Sequence, residues 1–357
     1  MASTSQAELD LLHTLVGTSS VSGTEEALGR WVETELRTWG LDVSRDETGV
    51  LVEVRGKRAG PTLAFASHLD TVPPGEGWTR DPFTPVVLDG KLYGRGSGDA
   101  KASVSAMLTA ARDVAEQGGP ATGRLVVLLG YGEETRHTSM PALVERAGQV
   151  DAAVVGEPTN LDVAVAQRGL MMVDLVARGD QRHAGYAADG KFTNAVTVLA
   201  ADILALGSVA QDRPHLLLGQ PTITATMLEA GVSRNVTPPT AKAVLDVRST
   251  PAWSHADLAA ELKRRLTSEV IVTSDRLVPC ETRRDSALLG AVLRARPTAR
   301  TFGSPTCSDW VFLRGSDTVK CGPGTSRRSH TADECVELDE VTAARAFYAR
   351  AAKEYLG

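Results

Sequence analysis

No stretch of about 18 apolar residues occurs in this 357-residue sequence, so no membrane-spanning helix is expected. The opening MASTSQAELD has no basic segment leading into an apolar run, so neither export nor membrane anchoring is expected. A cytoplasmic location is the expectation that follows. Cationic residues are not in surplus either: 38 Lys and Arg stand against 44 Asp and Glu, a formal net charge of −6. Non-specific binding of nucleic acid needs a clustered excess of Lys and Arg, so no nucleic-acid partner is expected and a small molecule is the natural one. The four cysteines, Cys280, Cys307, Cys321 and Cys335, form no C-x-x-C pair, which leaves no sign of a zinc knuckle or redox motif and fits reduced cytosolic thiols. Proline-rich sequence amounts to Thr237-Pro238-Pro239-Thr240, too short for a linker, and the chain holds no internal repeat or low-complexity tract.

What is present is the balance of a globular protein, 42% apolar and 23% charged. Its length suits two domains better than one core. Leu11, Leu12 and Leu15 mark a first helix, and Thr24-Glu25-Glu26-Ala27 reads as the capped start of a second, with Leu28, Trp31, Val32 and Leu36 on its apolar face. Strand-like runs at 50–54, 62–66 and 125–129 alternate with a helix expected over about 100–117. That alternation predicts an α/β fold with a mainly parallel sheet covered by helices on both faces. After Gln167-Arg168-Gly169 the order becomes strand, helix, strand, strand, helix, strand, at 171–177, 194–206, 222–227, 241–247 and 257–266 for its clearest elements. This is the split βαβ order of a smaller α+β domain. The expected division is a catalytic domain in two parts, 1–168 and 282–357, ending in a helix over 339–355, with 169–281 inserted between them. The two chain crossings would serve as a hinge.

Acidic and imidazole residues stand where strands should end: His68 and Asp70, then Asp99 in Gly94-Arg-Gly-Ser-Gly-Asp99, then Glu133-Glu134, then Glu157, with His330 near the C-terminus. In a parallel sheet the strand C-termini share one edge, so these distant loops should converge. Imidazole mixed with carboxylate suits a borderline cation such as zinc, and a bridging carboxylate can hold two such ions. One glutamate is then left over. Beside a metal-activated water a spare carboxylate can take a proton and deliver it to a leaving nitrogen, and Glu133 is the candidate, with Glu134 as ligand. Read instead as a phosphate-cradling turn, Gly94-x-Gly96-x-Gly98 would want an acidic residue at a strand end about 20 positions later. Asp113 falls inside the expected helix, and a dinucleotide-binding oxidoreductase leaves His68, Glu134, Glu157 and His330 unexplained. His137 falls at an expected helix start and stands outside the ligand set, while His13, His215 and His255 look solvent-facing.

The strings H-L-D-T-V-P (68–73), G-R-G-S-G-D-A-K (94–101), G-E-E (132–134), G-E-P-T (156–159) and G-P-G ahead of His330 resemble, in order and spacing, the dinuclear-zinc aminoacylase and carboxypeptidase family, peptidase family M20. The resemblance covers nearly the whole chain. It implies a zinc-peptidase catalytic domain carrying an inserted lid and dimerisation domain, and two zinc ions per subunit for which cobalt can substitute. On this resemblance His68 and Glu157 hold one ion, Glu134 and His330 the other, and Asp99 bridges them through a residue followed by a cis peptide. Asp70 orients His68, and Glu133 is general base and acid. His183 reaches across a homodimer interface toward the scissile carbonyl, and Asn235 and Arg248 grip the substrate carboxylate. Glutamate at position 157 is mostly an acylase and carboxypeptidase feature, so the implied reaction is removal of an acyl group from a small N-acyl amino acid. N-acetylornithine is the first candidate substrate; lysine or ornithine on an acidic amino-group carrier protein, and N-succinyl-diaminopimelate, are the alternatives. Arg283, Arg284, Arg327 and Arg328 could meet such a carrier, though solvated surface is the plainer reading. The sequence departs from the family at Ala102, Ser304-Pro305 and Cys307, which touches the substrate side and no ligand.

Overall fold

Every residue of the strand Thr62–His68 is buried, which requires helices over both faces of its sheet. The structure, a computed structural model, describes residues 6–189 and 192–357. The chain divides into two units, one made of the chain up to Val165 with Thr282–Phe302 and Ser308–Gly357, the other of Ala166–Glu281 with Gly303–Cys307.

In the first unit the strands lie in the order Asp42–Asp46, Gly49–Arg55, Arg124–Gly130, Thr62–His68, Ala152–Val155, Asp317–Lys320. The last four run parallel to one another and the first two are antiparallel additions. Their sequences, such as Arg-Leu-Val-Val-Leu-Leu-Gly over 124–130, are near-continuous apolar runs because both faces are covered. The helix Ala102–Glu116 packs on Leu338–Leu356, which packs on Ala287–Ala295, while Glu26–Thr38 and Ser139–Ala147 pack on Gly49–Arg55. Phe65, Val127, Val154, Met107 and Tyr348 belong to one buried cluster. Each large apolar side chain so buried contributes roughly 1.5–3 kcal/mol, so the strand register is strongly set and the loops at its ends are set with it.

A small antiparallel sheet of Val86–Leu88, Lys91–Tyr93 and Cys335–Glu337 joins two distant loops. Cys335 opposes Tyr93, and Gly94 N donates to Glu334 O at 3.0 Å. The segment before Asp99 is thereby tied to the segment after His330.

The second unit is the expected split βαβ arrangement. Its strands lie in the order Thr222–Ala230, Thr240–Ser249, Gly169–Arg178, Glu269–Leu277, all antiparallel. Alternate residues Ala241, Ala243, Leu245 and Val247 are buried with Met171, Val173 and Leu175 against Leu199, Leu258 and Leu262 of the two helices. That period of two is what a sheet with one covered face requires.

Three local expectations are corrected. Thr24 does not cap the second helix: its hydroxyl donates to Val21 O at 2.7 Å, and the helix starts at Glu26 without a side-chain cap. Glu25 instead accepts the N–H of Gly132 at 3.0 Å, a long-range contact that outweighs the local signal. The helix expected from about residue 100 begins at Ala102, after a wider turn Ser97–Lys101 in which Asp99 and Ala100 leave helical geometry. His215 and His255 are buried rather than solvent-facing. No helix among the described residues is long and apolar enough to cross a membrane.

Candidate metal centre

His68 ends its strand almost fully buried, and its ring is held at one edge, with Nδ1 3.1 Å from the carbonyl oxygen of Asp70. Nε2 at the other edge has no hydrogen-bond partner although it is buried. It faces carboxylates, lying 3.7 Å from Asp99 Oδ1 and 3.9 Å from Glu157 Oε1. A buried nitrogen left without a partner costs free energy, so this atom lacks something that accepts its lone pair.

Asp99 lies in the wide turn Ser97–Lys101, and the peptide Asp99–Ala100 is cis, as the family resemblance implies. The turn needs Gly96, at φ 79°, where a Cβ would come within 2.5 Å of Thr71. Glu157 follows the strand Ala152–Val155 through Gly156, whose Cβ would press on Met107 at 2.5 Å and Ser103 at 2.9 Å. Glu133 and Glu134 follow the strand Arg124–Gly130. Their backbone N–H groups donate to the two oxygens of Asp70, at 3.0 and 3.1 Å, and Ser22 donates to the second at 2.7 Å. His330, in a left-handed turn at φ 63°, lies with Nε2 3.0 Å from Glu134 and 3.6 Å from Asp99 Oδ2.

The two oxygens of Asp99 therefore face different imidazoles, Oδ1 toward His68 and Oδ2 toward His330. Ligands on one tetrahedral ion with bonds of 2.0–2.1 Å stand about 3.3 Å apart. The observed 3.6 and 3.7 Å are close to that edge. Ligand atoms of His68, Asp99 and Glu134 all fall within 4.8 Å of one another.

The electrostatics fit the same conclusion. Burial, then the neighbouring Asp99 carboxylate, pushes Glu157 up to about 8. Burial pushes Glu133 well above the carboxylate range, and Glu157, Asp309 and Glu134 add to it. Burial disfavours the charged forms of His68 and Asp70, but their mutual hydrogen bonding wins: His68 is raised well above its ordinary value and Asp70 falls to about 2. His330 is raised, chiefly by its bond to Glu134. Left to themselves these carboxylates repel one another, and divalent cations are the charge that relieves them. Mixed nitrogen and oxygen donors sharing one aspartate fit a dinuclear site.

The residues expected in the catalytic part, His68, Asp70, Asp99, Glu133, Glu134, Glu157 and His330, are all brought together in the first unit. His183, Asn235 and Arg248 are in the second. His183 is exposed, its Nδ1 accepting from Gly185 N at 3.0 Å, and the short ribbon pairing it with Val236 brings Asn235 O to Ala184 N at 2.8 Å. Arg248 lays its guanidinium on Asp246, at 2.7 and 2.9 Å.

Sequence reasoning missed two groups. Glu334 accepts the backbone N–H groups of Gly96, Gly98 and Asp99. Asp309, in the string Thr-Cys-Ser-Asp, receives His137, whose same ring nitrogen also faces Glu133. The only available signal was that His137 follows Glu134 by three residues.

The description Peptidase family M20/M25/M40 matches residues 64–354. Succinyl-diaminopimelate desuccinylase of Methylobacterium radiotolerans is 32% identical over 83% of this chain and 81% of its own length. Succinyl-diaminopimelate desuccinylase 2 of Ruegeria sp. is 29% identical over 98% and 95%. Among solved structures, the YXEP protein of Bacillus subtilis, described as a dinuclear metal binding peptidase, superposes with a TM-score of 0.76 at 16% identity, covering 98% of each chain.

Proposed function

Since the chain belongs to peptidase family M20/M25/M40 and is a metal-dependent amide hydrolase, we propose that it removes the acyl group from a small N-acyl amino acid, acting in the cytoplasm. N-succinyl-diaminopimelate is the first substrate in this reading, supported by the desuccinylase relatives. N-acetylornithine, which the motifs alone place first, comes second. The observation that carries the reading is Asp99, one oxygen toward each of two imidazoles, with buried Glu133 beside the group rather than in it.

Two zinc ions, or cobalt in their place, would be held by His68 and Glu157 on one side and Glu134 and His330 on the other, with Asp99 shared. Bound there, they would supply Lewis acidity toward the amide carbonyl and toward the attacking water. Glu133 takes the proton of that water and passes it to the leaving nitrogen. Asp70 holds the His68 ring through its carbonyl oxygen and the N–H groups of both glutamates through its carboxylate, so a single residue aligns ligand and base. The second unit acts in this reading as lid and dimerisation domain. His183 of a neighbouring subunit donates to the developing oxyanion, and Asn235 and Arg248 hold the substrate carboxylate.

The test is release of free amine from N-succinyl-diaminopimelate, N-acetylornithine, N-acetylcitrulline and carrier-linked lysine, with zinc or cobalt supplied. Cleavage of one of the first three supports the reading, and cleavage of carrier-linked lysine alone replaces the small molecule by a carrier protein. Inactivity on all four rejects the substrate class.

A further inference from the structure

We propose that His137 and Asp309 form a positioning pair that aims the carboxylate of Glu133, a role separate from metal binding. This rests on the reading of Glu133 as the proton-transfer group. The Nδ1 atom of His137 lies 3.1 Å from Asp309 Oδ1 and 3.7 Å from Glu133 Oε1, and the side chains of all three are largely buried, at 15%, 4% and 9% exposure. One nitrogen facing two carboxylates carries the hydrogen, a tautomer assigned from these neighbours. The N–H donates to Asp309, and its positive edge is then turned to Glu133.

Glu133 needs such a contact. Its backbone is fixed by Asp70, while its buried carboxylate is attracted by His68 and repelled by Glu157, Asp309 and Glu134, so its orientation is contested. His137 Nδ1 comes to 3.7 Å of this carboxylate, beyond hydrogen-bond distance, so the ring acts on Glu133 through its positive edge. The turn that carries the ring is built for that placement. Arg136 N and His137 N both donate to Gly132 O at 2.9 Å, and His137 adopts φ 48°, a left-handed conformation uncommon outside glycine. Asp309 in turn starts the short helix Asp309–Leu313, pinned by buried Trp310.

The three donor atoms are close enough together to hold a cation themselves. A cation there would make Glu133 a ligand and lower the basicity of its carboxylate, so that occupant competes with the reading on which this pair rests.

The experiment compares zinc-loaded wild type with His137→Leu, His137→Asn, Asp309→Asn, Glu133→Gln and the double variant Glu133→Gln/His137→Leu. Kinetics use whichever of the four amides is cleaved. Losing the aim of a reacting group costs about 10- to 100-fold, so His137→Leu and Asp309→Asn should lower kcat by about that much. KM should stay within about twofold, with two metal ions retained. His137→Asn places an amide N–H near the position of Nδ1 and should recover kcat to within about threefold. The double variant should be no slower than Glu133→Gln alone, because a positioning residue has nothing left to position. A crystal structure of His137→Leu should show the Glu133 carboxylate displaced, a readout independent of any substrate. An unmoved Glu133, full kcat in His137→Leu while Glu133→Gln is slow, or a third metal ion lost on substitution overturns the proposal. Full kcat in Glu133→Gln fails the base assignment itself.

Discussion

Asp99 donates its backbone N–H to Glu334 Oε1 at 3.0 Å, across 235 positions of sequence. Gly98 donates to the same oxygen at 3.0 Å, and Gly96 to the other at 3.1 Å. Arg95 closes the group, its guanidinium 2.6 Å from Glu334 with both side chains almost completely buried. Burial, reinforced by the nearby Asp99 charge, raises the Glu334 carboxyl, and the backbone donors and Arg95 pull against that rise. One carboxylate thus fastens the turn that presents Asp99 to both imidazoles.

Glu334→Gln should therefore weaken both the fold and the metal site. It removes one partner of a buried ion pair, a loss of about 3–5 kcal/mol, and turns an amide N–H₂ toward backbone donors. Urea unfolding should report the destabilisation, and metal titration should show affinity falling about 10- to 100-fold, the usual cost of losing a group that holds a ligand. Unchanged metal affinity would mean that the Asp99 turn keeps its shape without Glu334.

That contact also marks where reading the sequence stops. His68, Asp99, Glu134 and Glu157 were legible because each follows an apolar strand or glycine-rich turn, and the parallel sheet gathers strand ends at one edge. Glu334 was not legible: Asp333-Glu334 looks like an exposed acidic pair, and its burial is decided by Arg95, 239 positions earlier. Thr24 failed as a cap for the same reason, since the contact that matters is between Glu25 and Gly132. The split βαβ unit was legible from its order of strand-like and helix-like segments, and the alternating burial of Thr240–Ser249 agrees with it. The burial of His255 was not, because no local pattern distinguishes a helix-start histidine facing a strand from one facing water.

Glu133 and Glu134 are neighbours with opposite expectations. Glu134 lies 3.0 Å from His330 within the ligand group, so Glu134→Ala should lose metal measured by elemental analysis. Glu133→Ala should keep its metal while kcat falls about 10²- to 10⁴-fold, the range for a removed general acid–base group. The reverse pattern would exchange the two assignments.

His255 makes the second unit sensitive to acid. Its Nε2 accepts from Ser249 Oγ at 2.8 Å and its Nδ1 donates to Asp275 O at 2.8 Å, a neutral ring with both nitrogens used. Burial lowers its pKa from the ordinary 6.5, with the Asp275 carbonyl and carboxylate opposing. The unfolded chain then takes up a proton near that ordinary value while the folded chain resists it. This contribution to stability is complete above about pH 6.5 and is lost as pH falls toward the lowered folded value. Urea midpoints measured from pH 8 to pH 5 should fall less steeply for His255→Gln than for wild type, and equal slopes would remove His255 as the cause.

Arg248 and Asp246 set a competition for the substrate carboxylate. The guanidinium fork already rests on Asp246, at 2.7 and 2.9 Å, while the Arg248 side chain stays about a third exposed, at 34%. If Arg248 grips substrate, a carboxylate must share or displace Asp246, and charge-assisted hydrogen bonds of this kind contribute about 1.5–3 kcal/mol. Arg248→Ala should then raise KM by about 10- to 100-fold and change kcat much less, the signature of lost ground-state binding. Asp246→Asn should leave KM unchanged or lower it, because it releases the fork toward the incoming anion. Steady-state kinetics of the two variants decide between the roles: a KM that rises as much in Asp246→Asn as in Arg248→Ala would make the pair a structural clasp of the strand Thr240–Ser249 and leave substrate recognition to other residues.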